Sequence, residues 1–264
     1  MEEAEMKTVK GYIHRKSMLY ITGVEYGDYT MNHVLGCSHG CRFPCYAFMM
    51  KKRFGQVSSY AEWLQPYLVE NTLDLLDTEI PQLKDRIKTV QLCFTTDPFM
   101  YEYEEISDMS IKAIKKLNEN GIRCNVLTKG ILPPELCDLS KENEYGITLV
   151  SLDESFRTKM EPFSAGYFER LNAMKFLHNR GCKTWVSIEP YPTPNLVEQN
   201  LSSILECVRF TDRIVFGRMN YNSKVTKYKE QKQFYNRCAA EVEDFCVTNG
   251  IKYYIKSKTI SSDI

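Results

Sequence analysis

The sequence predicts an α/β fold of parallel strands joined by helical crossovers. Three observations lead there. Short apolar runs that end in polar residues alternate with segments of helical spacing, five or six times along the chain. Repetition of that kind builds parallel strands with right-handed crossovers. The chain has 264 residues with 43% hydrophobic side chains, enough for a full core, and barrels of this length are usually one domain. No low-complexity linker or composition break divides it.

The elements read in order as follows. "DYTMNHVLG" (28–36) is a candidate strand. "TVQLCFTTD" (89–97) is a short apolar run closing on polar residues, hence a second strand. A helix follows, with Ile106, Met109, Ile111, Ile114 and Leu117 near helical spacing and Gly121 as its stop. "IRCNVLTKG" (122–130) is a strand, "PPELCDLS" (133–140) a short helix and "YGITLVSLD" (145–153) a strand. The helix over 164–181 has Ser164 as its N-cap and Gly181 just past its end. "CKTWVSIEP" (182–190) is a strand and 196–210 a helix. "DRIVFGRMN" (212–220) is a strand, 229–250 a long helix closed by Gly250, and "IKYYIKS" (251–257) the last strand. An open doubly wound sheet and a barrel both satisfy this pattern. In either, functional groups gather where strands end. Those ends carry Thr96 and Asp97, Thr128 and Lys129, Ser151 and Asp153, Glu189, Arg218 and Asn220, a polar ring around one mouth.

Composition removes some classes. Lys plus Arg equals Asp plus Glu, so no whole-protein field steers the chain onto nucleic acid, and any such contact needs a local patch. The run 224–237 mixes Lys, Tyr and Phe and reads as a solvated helix face. The first residues lack a signal-peptide pattern and no apolar run approaches the roughly 18 residues of a membrane span, so the expected location is cytoplasmic, with no membrane partner. Ten cysteines in such a chain point to metal or redox work for any cluster of them, not to a disulfide framework. Seven are dispersed and read as small buried hydrophobes. His14, His33 and His178 read as surface or packing residues.

The other three cysteines share the loop "GCSHGCRFPCYAF", at Cys37, Cys41 and Cys45. Three thiolates serve zinc or an iron–sulfur cluster. A closed zinc site wants four ligands, and His39, wedged between the first two cysteines, is poorly placed to be the fourth. A cluster held by three cysteines leaves one iron open to a substrate or cofactor. A non-enzymatic zinc or iron–sulfur protein on the same scaffold is the alternative to an enzyme.

"DYTMNHVLGCSHGCRFPCYA" resembles the cluster loop of radical S-adenosylmethionine (SAM) enzymes, and more closely that of their spore-photoproduct-lyase-like branch. "TTDPF" (95–99), "LTKG" (127–130), "VSLD" (150–153), "MEPF" (160–163) and "SIEP" (187–190) agree in order, over roughly 28–220. One feature departs: the family spaces its cysteines by three residues then two, and here both gaps are three, with Pro44 between Phe43 and Cys45.

The resemblance implies a partial (β/α)6 TIM-type barrel with helices outside, forming one domain over 1–264, with a core at roughly 28–220 and a C-terminal helix and strand at 228–257. It implies a [4Fe–4S] cluster on Cys37, Cys41 and Cys45, and SAM as cofactor. It places Phe43 and Tyr46 against the adenine, Thr96 and Asp97 on the methionine ammonium, and Lys129 and Ser151 on the SAM carboxylate or ribose. It implies an electron donor such as flavodoxin or ferredoxin. It leaves the substrate open between a nucleic acid, a protein and a small molecule. Lyase-like relatives can carry a hydrogen-returning cysteine two residues before the strand-end hydroxyl, a position held here by Phe94. Cys93 stands one residue earlier, and strand alternation sends it to the face opposite Thr96, under the helices.

Overall fold

The computed structural model describes residues 6–261. The chain opens with β1 (Gly11–Ile13), β2 (Leu19–Ile21), β3 (Tyr29–Met31) and β4 (Val34–Leu35), then helices α1 (Tyr46–Arg53) and α2 (Tyr60–Trp63). Next come β5 (Tyr67–Val69), α3 (Thr72–Leu83), β6 (Thr89–Leu92), α4 (Glu104–Glu119), β7 (Arg123–Thr128) and β8 (Glu144–Thr148). Helices α5 (Glu154–Met160) and α6 (Tyr167–Asn179) lead to β9 (Lys183–Tyr191), α7 (Leu201–Cys207) and β10 (Arg213–Arg218). Helices α8 (Ser223–Thr226) and α9 (Gln231–Asn249) and strand β11 (Lys252–Ile255) finish it.

The main sheet runs β2-β3-β6-β7-β8-β9-β10-β11. Every pair is parallel except β2 with β3. From β3 onward each strand pairs with the next one of its sheet, so all crossovers have one sense and the sheet curls into a partial (β/α) barrel. Strands β6 to β10 are buried on both faces, as parallel strands under helices must be. Helix α4 shows how the outer layer is held. It buries Ile106, Ser110, Ala113, Ile114 and Leu117, one stripe at 3.6-residue period.

A second, three-stranded sheet has the order β1-β5-β4 and sits where the cysteine loop begins. This breaks the strand expected over 28–36. Asn32 leaves the ladder because its side-chain carbonyl accepts from the Thr95 N–H and hydroxyl, at 3.1 and 3.0 Å. His33 is fully buried, with Nε2 2.8 Å from the Ser110 hydroxyl. The chain therefore leaves β3 for the other sheet as β4. Gly36 then turns at φ +94°, where a side chain would meet the Trp63 carbonyl at 2.9 Å.

Further local readings change. Ser164 does not cap α6. Gly166 does, with its N–H donated to the Glu169 carboxylate at 2.7 Å, while the Ser164 hydroxyl donates to the Glu161 carbonyl. The helix expected over 196–210 is only α7, because the Asn200 side chain caps it by accepting from Ser202 N–H. The three-residue strands β1, β2 and β5 are too short for an alternation signal. No helix among the described residues is long and apolar enough to cross a membrane.

Candidate active site

A cavity of about 490 Å³ opens at the carboxyl ends of the barrel strands, within the usual range for small-molecule sites. Its lining combines the cysteine loop with residues from the ends of β6, β7, β8, β9 and β10. Cys37, Cys41 and Cys45 all line it, each half-buried. The Cys37 N–H donates to the Trp63 carbonyl at 2.8 Å, and the Arg42 N–H to the Met160 carbonyl at 2.7 Å. These bonds fix the two ends of the first Cys-to-Cys segment. Cys45 takes the N-cap position of α1 with no side-chain capping bond, so its sulfur is uncommitted. Burial pushes the Cys37 thiol well above its ordinary range and Cys41 up to about 11, the latter partly offset by the Lys129 ammonium. As free thiols both are protonated, and a metal would displace the protons.

Asp97 sits 4% exposed at the cavity wall. One carboxylate oxygen accepts from Phe99 N–H at 2.9 Å and from the Thr128 hydroxyl at 2.6 Å. The other accepts from Lys129 N–H at 2.8 Å and lies 3.5 Å from His39 Nδ1. The carboxylate thus ties the turn after β6 to the end of β7. Thr96, its neighbour, has a buried hydroxyl that lies beside the Cys93 sulfur and meets no other partner. The side-chain carbonyl of Gln91, in β6, is also buried and unpartnered. Both residues line the cavity. Orphaned acceptors in such a place are costly unless a ligand meets them.

Lys129 reaches the same wall. Its ammonium is 2.6 Å from Glu161 Oε2, 3.5 Å from Cys41 Sγ and 4.6 Å from the centre of the Phe43 ring. Burial opposes that charge, but Cys41 and Glu161 raise the lysine above its ordinary value. Glu161 is fully buried between Lys129 and Arg170, whose Nη2 is 2.9 Å from Oε1. These are ion pairs lying off hydrogen-bond angles. Burial alone would raise the Glu161 carboxyl; the two cations hold it down at about 2. His39 is buried, with Nε2 accepting from Tyr101 N–H at 3.2 Å, and burial lowers it to about 4. Its ring is occupied with protein partners.

Phe43 is buried under Lys129, and Tyr46 stands on the rim, 52% exposed. Ser151 is not in the cavity lining. Strand β8 ends at Thr148, and the chain carries Ser151 past the rim, where its hydroxyl is buried and accepts from Asp153 N–H at 3.1 Å. Thr148 and Ser187 line the cavity from β8 and β9 instead. Cys93 is a buried core residue as expected, packed with Val34, Leu68, Met100, Tyr103 and Ile106 and with its sulfur 3.4 Å from His33 Nδ1, and it also borders the cavity. Strand β6 stops at Leu92 and Cys93 turns at φ +50°, so alternation no longer governs its direction.

Tyr26, Glu189, Arg218, Asn220, Tyr221 and Lys256 also line the cavity. Burial raises the Glu189 carboxyl, opposed by Lys256 3.3 Å away. The Lys256 ammonium also lies 4.7 Å over the Tyr26 ring and pairs with Glu25. Tyr26 and Lys256 escaped the sequence reading, Glu161 entered it only within the phrase "MEPF" and without a role, and Gln91 left a trace as a polar residue inside an apolar run.

The donor set fits an iron–sulfur cluster with one open iron. Three thiols line one cavity beside unpartnered acceptors, and no group of three His, Cys, Asp or Glu side chains among the described residues is arranged to hold a single ion.

Comparison with known proteins places this geometry. An uncharacterized protein of Acidianus two-tailed virus is 25% identical over 195 residues, covering 70% of this chain and 64% of the viral one. The chain thus spans less than two thirds of that relative's length. An uncharacterized protein of Methanocaldococcus jannaschii is 27% identical over 190 residues, covering 70% and 68%. A solved spore photoproduct lyase variant with bound AdoMet and dinucleoside spore photoproduct superposes with a TM-score of 0.69, over 93% of this chain and 80% of that one. At 13% identity the likeness is one of fold. SuiB of Streptococcus suis, bound to SAM, gives a TM-score of 0.50 at 18% identity, over 67% of this chain and 42% of its own. The pattern of the Radical SAM superfamily matches residues 31–208, from the end of β3 through α7, cysteine loop included. On that match the chain belongs to the Radical SAM superfamily, enzymes that use a [4Fe–4S] cluster and SAM.

Proposed function

We propose that this cavity is a radical-generating active site in which Cys37, Cys41 and Cys45 hold a [4Fe–4S] cluster and leave one iron open to SAM. When bound, the pair supplies reductive cleavage of the SAM sulfonium to a 5′-deoxyadenosyl radical, which abstracts hydrogen from a substrate. The observation that carries this reading is one cavity shared by three thiols and by two buried acceptors without partners, Thr96 Oγ1 and Gln91 Oε1. An ammonium or a ribose hydroxyl is the kind of donor those oxygens lack. Phe43 and Tyr46 line the same cavity and would wall an adenine ring. Asp97 braces two strand ends through three protein donors and keeps a lone pair on the oxygen that accepts only Lys129 N–H.

Tyr26, Glu189, Arg218 and Lys256, also in the cavity lining, present both signs of charge and suit a polar substrate with donor and acceptor groups. A carrier protein of the flavodoxin or ferredoxin kind would deliver the electron. The test is anaerobic reconstitution with iron and sulfide, then SAM and dithionite, with 5′-deoxyadenosine read by chromatography. A brown, iron- and sulfide-loaded protein that releases 5′-deoxyadenosine is expected, and the Cys45→Ala variant loses most of its iron. A colourless protein carrying one zinc ion would defeat the reading. Normal iron in Cys45→Ala would remove that cysteine from the ligand set.

A further inference from the structure

We infer that Lys129 raises the reduction potential of the cluster by donating to the Cys41 sulfur, whatever else its ammonium meets. The inference rests on the cluster reading above. An ammonium has three hydrogens. Here its three neighbours are Glu161 Oε2 at 2.6 Å, Cys41 Sγ at 3.5 Å and the Phe43 ring face at 4.6 Å. The sulfur takes one hydrogen as a hydrogen bond, while Glu161 pairs with the charge off hydrogen-bond angles and the Phe43 ring lies against it.

The lysine is held from both ends. Its N–H donates to Asp97 at 2.8 Å, and its carbonyl accepts from Ala165 N–H at 3.0 Å. At the tip, Glu161 is anchored by Arg170, itself fully buried and donating to the Ala165 and Thr148 carbonyls at 3.0 and 2.8 Å. The segment that carries Glu161 is also joined to the cysteine loop. Arg42 N–H donates to the Met160 carbonyl at 2.7 Å, and Phe163 N–H to the His39 carbonyl at 3.2 Å. Moving Lys129 off the sulfur therefore means breaking a buried ion pair or opening the loop.

The consequence is electrostatic. Reduction adds one electron, from the carrier protein or from dithionite, and so one negative charge to the cluster. A cation hydrogen-bonded to a ligand sulfur stabilises that added charge, and in a water-poor site the effect is large. The Glu161 anion beyond it acts in the opposite sense. The two neutralising variants must then move the midpoint in opposite directions, which a purely structural disturbance would not do.

The experiment is a redox titration of the anaerobically reconstituted full chain, with the reduced cluster read by electron paramagnetic resonance, for the parent, Lys129→Met and Glu161→Gln. SAM affinity is measured on the same samples. We expect a more negative midpoint in Lys129→Met and a more positive one in Glu161→Gln, whether or not Lys129→Met also binds SAM more weakly. An unmoved midpoint in Lys129→Met would overturn the inference, whatever its SAM affinity. So would shifts of the same sign in both variants. If Lys129→Met does not take up iron, Glu161→Gln decides alone: an unmoved or more negative midpoint overturns the inference. A parent that takes up neither iron nor sulfide defeats the cluster reading instead, and is told apart by that.

Discussion

Replacing Asp97 with Asn separates a brace from a ligand. The carboxylate is 4% exposed and satisfies three donors: Phe99 N–H, the Thr128 hydroxyl and Lys129 N–H, at 2.9, 2.6 and 2.8 Å. Bonds to an ionised acceptor are worth about 1.5–3 kcal/mol each, against about 0.5–1.5 for neutral ones. An amide oxygen can still serve one side of the group, so two bonds weaken. The amide NH2 then meets the third donor head-on and leaves it unsatisfied, at about 1–3 kcal/mol. Because the three share one group, the losses do not add fully, and roughly 3–5 kcal/mol is the expected destabilisation. For a chain of this size each kcal/mol moves Tm by about 2–4 °C, so the variant should melt roughly 6–20 °C below the parent. The assay is a circular dichroism melt of the cluster-free proteins, in which no SAM contact contributes. A Tm within about 2 °C of the parent, together with lost SAM binding after reconstitution, would refute the brace and make Asp97 the acceptor for the SAM ammonium.

Other outcomes follow from the same geometry. Thr96→Val removes a buried hydroxyl that has no partner; the cluster-free protein should gain about 1 kcal/mol, a few degrees in Tm, while the reconstituted one binds SAM about tenfold more weakly. A lower Tm with intact SAM affinity would place a partner on that oxygen. Glu161 is held at about 2, below its ordinary 4.5, so its stabilising contribution is complete above pH 4.5 and lost as pH falls towards 2. Urea titrations should therefore show the stability gap between the parent and Glu161→Gln narrowing over that window; a gap independent of pH there would show that the carboxylate's charge is not what the two cations use. Burial lifts Cys93 to about 12, so at pH 8 roughly one in ten thousand of its thiols is ionised and iodoacetamide should label it far more slowly than an exposed cysteine in the folded protein. Labelling as fast as at exposed Cys207 would show that the site opens.

Chemistry that is local in the chain was legible, because local spacing survives folding. Cys37, Cys41 and Cys45 lie within nine residues, and no arrangement of the barrel could scatter them. The strand–helix alternation likewise specified a parallel sheet, since apolar runs of this length bury both faces only beneath helices. Strand ends were harder. Ser151 and Thr148 differ by three positions, and which of them meets the cavity depends on where β8 stops. Cys93 shows the limit of the alternation rule, which holds only while the chain remains a strand.

Tertiary structure alone decided what each polar group faces. Asp97 could be assigned to a strand end from the sequence, but that it also accepts from donors at residues 99, 128 and 129, bracing two strand ends, came only from the fold. Gln91, Glu161, Tyr26 and Lys256 come from four distant parts of the chain, and neither their neighbours in sequence nor their residue types announce a common site. Whether a buried charge is matched or an acceptor left orphaned depends on a few ångströms between segments far apart in sequence, and that information exists only once the sheet has curled and brought its strand ends around one cavity.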